Sequence, residues 1–385
     1  MTSLASFELP KWIETNKNNG LLVLAGSATP ALSIEDLIQL SSDKQTTASN
    51  LSLQTLKLTL SPFDGSEALR EKIATLYNAG ITAEHILPAQ GTTGANTLVF
   101  QSLLSPSDHV IAMYPSYQQL LSLPTATAGV EASHWILDLD SPAHTSIQAL
   151  KALIRPTTKM IILNNPNNPL GTVLSRTAQA EIVALAAAHN LTLLVDEIFR
   201  PLFHDSDETP LSFVELPYQN IIVTSSMSKA WGLSGARVGW LATRSEAIRA
   251  RCFDRSLYTI MALSTVDELI ATEALSERCR PAILAKHLAL AQTNLALLDG
   301  FVDRHRDTEC RRHGFCALCA WGVAVDDVAF CRELKEKKGV LLAPGSLCFG
   351  LGSDQDFRGF VRVHITVQPE VMQAALAAIG DFLEE

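Results

Sequence analysis

Thr224-Ser-Ser-Met-Ser-Lys-Ala-Trp-Gly-Leu-Ser-Gly-Ala-Arg-Val-Gly-Trp240 decides how the rest of the chain reads. It sets one lysine, Lys229, between hydroxyls at Ser226 and Ser228 and the cation of Arg237, with Gly239 and Trp240 following. The residues ahead of it, Asn220-Ile-Ile-Val-Thr224, have the continuous apolar character of a buried strand. The lysine therefore stands just past a strand end, where open α/β sheets keep their ligands. A lysine can form a Schiff base with a carbonyl. Hydroxyls and a planar guanidinium fork suit a phosphate dianion. The chemistry that fits all of them is an aldehyde carrying a phosphate.

The stretch resembles the cofactor-lysine motif of fold-type I enzymes dependent on pyridoxal 5′-phosphate (PLP), in the aminotransferase class I/II family. The family pattern Ser-x-Ser-Lys, then Gly-x-x-Gly-x-Arg-x-Gly, falls on Ser226, Ser228, Lys229, Gly232, Gly235, Arg237 and Gly239. The resemblance implies a mainly parallel sheet sandwiched by helices in a large domain, with a smaller α+β domain beside it. On that basis residues 1–45 are expected as an N-terminal arm and part of the small domain. Residues 46–278 would form the PLP-binding domain, and 279–385 a linking helix and the C-terminal small domain.

Outward from the lysine, further family motifs occur in family order. Gln90-Gly-Thr-Thr-Gly-Ala-Asn96 precedes the apolar helical run Leu98–Leu104. Small residues at a helix start leave backbone N–H groups aimed at an anion, and the resemblance gives Thr92 and Thr93 to a phosphate cup. The strand Asp108–Met113 ends in Tyr114-Pro-Ser-Tyr117, where Tyr117 maps to the aromatic that stacks on the pyridine ring. The strand Lys159–Leu163 ends in Asn164-Asn-Pro-Asn-Asn-Pro-Leu-Gly171, a rigid turn. Its Asn168 maps to the asparagine that donates to the cofactor's phenolic oxygen. Asp196 closes the strand Leu191–Val195. A carboxylate at a buried strand end needs a partner, and the family's partner is a protonated pyridine nitrogen that keeps the ring an electron sink.

The two ends of the chain add the substrate side. Leu21–Pro30 is an apolar run closing in a turn, and the resemblance places Gly26 and Ser27 near substrate. Phe360-Val-Arg-Val-His-Ile-Thr366 carries an arginine inside an apolar strand. A buried arginine needs an anion, and Arg362 maps to the residue that binds the substrate α-carboxylate. Three residues depart from the family pattern, the mildest being Leu170, which stands where threonine is common. Leu60 stands where a tyrosine reaches the neighbouring subunit's cofactor phosphate, and Phe199 replaces the tyrosine of Asp-x-x-Tyr. Phenylalanine there resembles relatives that cyclise or oxidise amino acids, the capreomycidine-synthase branch among them.

Elsewhere the expectations are local. Ser66–Ala79 is expected as an amphipathic helix with Ser66 as N-cap. Thr177–His189 and Arg280–Phe301 are expected as helices, and Leu241–Leu275 as helices with Ser256-Leu-Tyr258 a cleft contact.

Composition excludes several other classes. At 385 residues with 47% hydrophobic and 18% charged residues, the chain can bury a large core. A formal charge of −10 without a Lys/Arg-rich run argues against nucleic acid or anionic membrane as partners. Met1–Lys17 lacks a secretory pattern and the apolar region Ile182–Val195 is too short to span a bilayer, so a cytoplasmic protein is expected. Seven cysteines fit reduced thiols better than a disulfide framework. Cys316-Ala-Leu-Cys319, with Cys310 and His313, lies in the apolar run Gly314–Trp321, which reads as a strand and not a metal site. No Gly-x-Gly-x-x-Gly follows an early strand, which disfavours a dinucleotide-binding protein. A PLP-sensing regulator would need an appended DNA-binding domain and a basic patch.

The expected protein is thus a PLP-dependent aminotransferase-like enzyme on an amino acid, with Lys229 as base. A cyclase or β/γ-eliminating enzyme with the same cofactor is the alternative. Homodimerisation is implied by the resemblance alone.

Overall fold

The computed structural model describes residues 4–138, 146–203, 210–305, 311–313, 318–320, 326–350 and 357–385. Seven strands among them form one sheet in the order Ile86–Gln90, Val238–Thr243, Ile221–Ser226, Thr192–Asp196, Thr158–Asn164, His109–Tyr114 and Glu131–Ile136. Every neighbouring pair is parallel except the two made by Val238–Thr243, which runs antiparallel to both its partners. The five strands Ile86–Gln90, Thr158–Asn164, Thr192–Asp196, Ile221–Ser226 and Val238–Thr243 carry aliphatic residues such as Ile161, Leu194 and Val223 with no or almost no exposure. Strands covered on both faces lose the polar alternation of a half-buried sheet, so they read as continuous apolar runs. Each such side chain contributes about 1.5–3 kcal/mol by burial, which outweighs the weak strand propensity of Ala and Gly in the same segments.

A second apolar cluster joins the two ends of the chain. Leu9, Trp12 and Leu24 pack with Leu298, Phe349, Val363 and Ile379. Leu22–Val23 pairs in parallel with Val340–Leu341, and Trp12 Nε1 donates to Leu342 O at 2.8 Å. A four-stranded antiparallel sheet lies in the order Ala343–Pro344, Phe360–Arg362, Leu318–Ala320, Arg311–His313. The helix Arg280–Arg304 bridges both cores, giving Ile283 to the first and Leu298 and Phe301 to the second.

Several local expectations need correction. Leu241–Leu275 is not helical throughout: Val238–Thr243 is the antiparallel strand, and helices follow only at Glu246–Ser256 and Thr265–Ala274. The helix capped by Ser66 ends at Ala74 with Thr75 as its C-cap, and Ala79 lies beyond it with a left-handed φ of 56° ahead of Gly80. Tyr258 is 89% exposed and lines no part of the cavity described below. Cys310 and Cys316 lie outside the described residues, and Cys319 sits in the strand Leu318–Ala320. Cys252, Cys279, Cys331 and Cys348 are buried free thiols.

Candidate active site

The chemistry-bearing residues gather at one edge of the large sheet because consecutive strands deliver them there. Asp196 ends one strand and pairs with Asn164 on one side and Thr224 on the other. Ser228 and Lys229 follow the neighbouring strand Ile221–Ser226. The antiparallel strand starts at this same edge, so Arg237, the residue before it, returns to the loop that holds the lysine. The helix Gly91–Leu103 begins here too, bringing Thr92 and Thr93. This is the crevice at the carboxyl ends of parallel strands.

A cavity of about 240 Å³ opens at that edge. All nine residues expected at the cofactor line it: Thr92, Thr93, Tyr117, Asn168, Asp196, Ser226, Ser228, Lys229 and Arg237. Six more that share the lining are Ser27, Gln119, Asn164, Ile198, Phe199 and Ser234. Arg362 and Gly26 stand one layer behind. Arg362 Nη1 donates to Asn168 Oδ1 at 2.8 Å, and Nη2 to Gly26 O at 3.0 Å and Ala25 O at 2.5 Å. Its guanidinium also lies 5.1 Å over the Phe349 ring.

One end of the cavity is built for an anion. Thr92 Oγ1 is buried with no hydrogen-bond partner among the described residues, at the open N-terminus of a thirteen-residue helix. Arg237 reaches Ser228 Oγ (3.4 Å) and Ser234 O (3.0 Å) from a left-handed φ of 50°. A Cβ on Gly91 would meet the Arg237 guanidinium at 2.6 Å, and one on Gly239 would fall 2.3 Å from the Gly91 carbonyl carbon. Only glycines let these two backbones close onto the arginine.

The Asp196 side of the cavity is built for a cation. Asp196 is buried and accepts from Asn96 Nδ2 (3.2 Å) and Ile198 N (3.1 Å). Asn96 is itself fixed, since Thr224 Oγ1 donates to its Oδ1 at 2.7 Å and its Nδ2 also reaches Gln119 Oε1 at 3.2 Å. Burial pushes the Asp196 carboxyl up to about 6, against the Asn96 and Ile198 hydrogen bonds and the Lys229 charge. A cation placed against it would bring it back to the ionised form. Tyr117 forms one wall; burial first and Asp196 second raise its phenol. The Phe7 ring packs on it at 5.2 Å.

Lys229 Nζ donates to Ser27 Oγ at 2.9 Å, and Thr29 Oγ1 donates to Lys229 O at 2.5 Å. His287, on the helix Arg280–Arg304, holds the next residue by Nδ1 to Ala230 O at 2.8 Å. A phosphate-bearing, ring-nitrogen cofactor with an aldehyde fits this donor set: anion hole, lysine and buried carboxylate share one cavity. Sequence reasoning missed Asn96, Gln119 and His287 altogether. Asn96 follows Thr93 by three residues on the same helix face, which is a signal that could have found it. Gln119 and His287 carry no such signal.

The family profile for aminotransferase class I and II matches residues 31–379. An aspartate aminotransferase of Thermotoga maritima is 27% identical over 323 residues, 82% of this chain and 80% of that protein. Capreomycidine synthase of Streptomyces vinaceus is 27% identical over 329 residues, 84% of this chain and 80% of its own length. Among solved structures, a PLP-dependent aminotransferase from Streptococcus suis 89-1591 aligns with a TM-score of 0.89 and 31% identity, covering 100% of this chain and 98% of that one.

Proposed function

The chain belongs to the aminotransferase class I and II family, fold-type I enzymes that use pyridoxal 5′-phosphate, and we propose that it transaminates an amino acid whose α-carboxylate is held by Arg362. The observation that carries this is the single cavity in which Lys229, Asp196, Tyr117 and the Thr92–Arg237 anion hole meet. When bound, PLP supplies an aldehyde that condenses with amines and a pyridine ring that takes up the electron pair left at Cα.

The chain's own residues would divide the remaining work. Thr92, Thr93, Ser226, Ser228 and Arg237 hold the phosphate end. Asp196 would accept from a protonated ring nitrogen, Asn168 would donate to the ring oxygen, and Tyr117 would offer its ring to the cofactor's. Lys229 Nζ accepts the Cα proton and returns it. Gly26 and Asn168 sit beside Arg362, which fixes the orientation of its fork toward the carboxylate.

Phe199 supports a second reading. It lines the cavity with a ring that has no hydroxyl, and capreomycidine synthase is among the relatives that match most of the chain. On that reading the same proton transfer leads to ring closure or elimination. The test is incubation of the loaded enzyme with a panel of amino acids, with products identified by mass. Release of a 2-oxo acid without ammonia supports transamination. A cyclised product, or a 2-oxo acid released together with ammonia by elimination, rejects it for the second reading.

We also infer a homodimer. Leu58, Leu60 and Tyr258 are 79%, 71% and 89% exposed, with Phe63 and Met261 also exposed. The segments that carry them are tied together by Thr265 Oγ1 donating to Thr59 O at 2.6 Å. Apolar side chains concentrated on two joined segments are a self-association surface. Leu60→Asp should shift the solution mass to that of a monomer, and an unchanged mass would reject this interface.

A further inference from the structure

One side chain beside Lys229 has no part in the chemistry above. His364 follows Arg362 by two residues, in the segment just past the end of the strand Phe360–Arg362. The His364 N–H donates to Leu24 O at 2.9 Å, which lays this segment along residues 24–27. Arg362 then grips the carbonyls of Ala25 and Gly26. The imidazole takes the next place along: its Nδ1 stands 3.3 Å from where a Cβ on Gly26 would lie, and its Cε1 3.7 Å. The other ring nitrogen, Nε2, is 2.5 Å from Thr366 Oγ1, which fixes the rotation of the ring.

The segment so braced holds the lysine at two points. Ser27 Oγ accepts from Lys229 Nζ at 2.9 Å, and Thr29 Oγ1 donates to Lys229 O. Without support behind Gly26, a glycine-containing turn has wide backbone freedom, and Ser27 would swing with it. We propose that His364 is a positioning residue for Lys229: its ring braces the Gly26–Ser27 turn and so keeps Ser27 Oγ within hydrogen-bonding reach of the lysine amine. This rests on the reading of Lys229 as the cofactor lysine.

The electrostatics agree with the geometry. Burial, then the Arg362 guanidinium and Lys229, push the His364 ring down to about 3. A neutral side chain thus stands within reach of two cations without adding a third. A lysine or arginine brace in that place would repel both.

The test measures how fast PLP loads covalently onto Lys229 of the ligand-free protein, trapped with borohydride and located by mass, alongside kcat and KM. Ser27→Ala and His364→Ala should each slow loading by about five- to tenfold, the loss of one hydrogen bond of ordinary strength. The double variant should be no slower than Ser27→Ala, because one acts through the other. His364→Asn keeps a polar atom at the place of Nδ1 and should load near the wild-type rate. In turnover, kcat should fall more than KM rises. Wild-type loading by His364→Ala, or a double variant slowed by the product of the two single effects, would overturn the proposal. Should His364→Ala fail to fold, Gly26→Ala decides: slowed loading supports the brace, and an unchanged rate overturns it. A wild-type protein that never loads at Lys229 would instead reject the cofactor reading itself.

Discussion

Replacing Asn96 with leucine should move the acid limb of PLP loading onto the ligand-free protein upward by about one to two pH units. Asp196 receives two donors, Asn96 Nδ2 and Ile198 N. Among the influences opposing its burial, the Asn96 hydrogen bond is the largest, and the balance leaves the carboxyl at about 6. A hydrogen bond to a charged group contributes about 1.5–3 kcal/mol, and one pKa unit corresponds to about 1.4 kcal/mol. Leucine removes the donor without opening room for a water to replace it. The ionised carboxylate is the form that attracts the ring cation, so loading is fast above its pKa and slows as pH falls through it. Raising that pKa therefore shifts the limb upward. The assay is the rate of covalent PLP loading onto the ligand-free protein against pH, with Asp196→Asn as a control that should lack the limb. Superimposable profiles for wild type and Asn96→Leu would show that the amide does not set the charge of Asp196.

Other residues give equally direct tests. Arg362→Lys keeps the charge but loses the planar fork; kcat/KM for amino acids should fall at least about tenfold while Lys229 still loads, and unchanged kcat/KM would remove Arg362 from the carboxylate seat. Phe199→Tyr adds a phenol to the cavity wall and should shift products toward the 2-oxo acid; an unchanged product ratio would show that this ring does not steer the outcome. Glu197 is buried, accepts from Ser212 Oγ (2.7 Å) and Phe213 N (2.8 Å), and burial pushes it up to about 7. A carboxyl more basic folded than unfolded favours folding fully at low pH, and that contribution is lost as pH rises through about 7. Glu197→Gln cannot ionise, so its melting temperature should gain on wild type between about pH 5 and pH 8; a constant difference would contradict the shift. Gly239→Ala should destabilise by about 3 kcal/mol or more through its clash with Gly91, read by thermal melting, and an unaltered melt would refute that close approach.

Four strands of the large sheet, those ending at Tyr114, Asn164, Asp196 and Ser226, were legible because they are continuous apolar runs; Ile86–Gln90 and the half-exposed Glu131–Ile136 were not. Asp196, Asn168 and Lys229 could be placed at strand ends from local pattern alone. Val238–Thr243 was not legible. It is buried throughout, so it shows no alternation, and its apolar residues run on toward the helices that follow. The helix after Ser66 read too long because its apolar period continues to Tyr77 and Ala79, while the chain has already turned at Thr75. Ser27 was placed near substrate, but its contact with the Lys229 amine lies 202 residues away in sequence. The Gly26–His364 contact is longer still, and no window of residues contains it. The Asn96–Asp196 bond also joins distant segments, at a separation of 100. Local pattern fixes which strand end a residue occupies; it carries nothing about what a second segment lays over it.

The clasp between the chain's two ends has a consequence for synthesis. Ala25 and Arg362 are 337 residues apart, so at about 5–20 residues per second a ribosome needs roughly 20–70 s between making one and the other. The seven-stranded sheet spans residues 86–243 without a break to either end and can assemble during that interval. Leu24, Trp12 and the other early members of the second core must wait, exposed, for Val340–Leu341 and Phe360–Arg362 to emerge. Arg362 and its contacts with Ala25, Gly26 and Asn168 are therefore the last part of the site to exist. A nascent chain halted before residue 360 would already own Lys229, Asp196 and Thr92, and would still lack the arginine that joins the two ends.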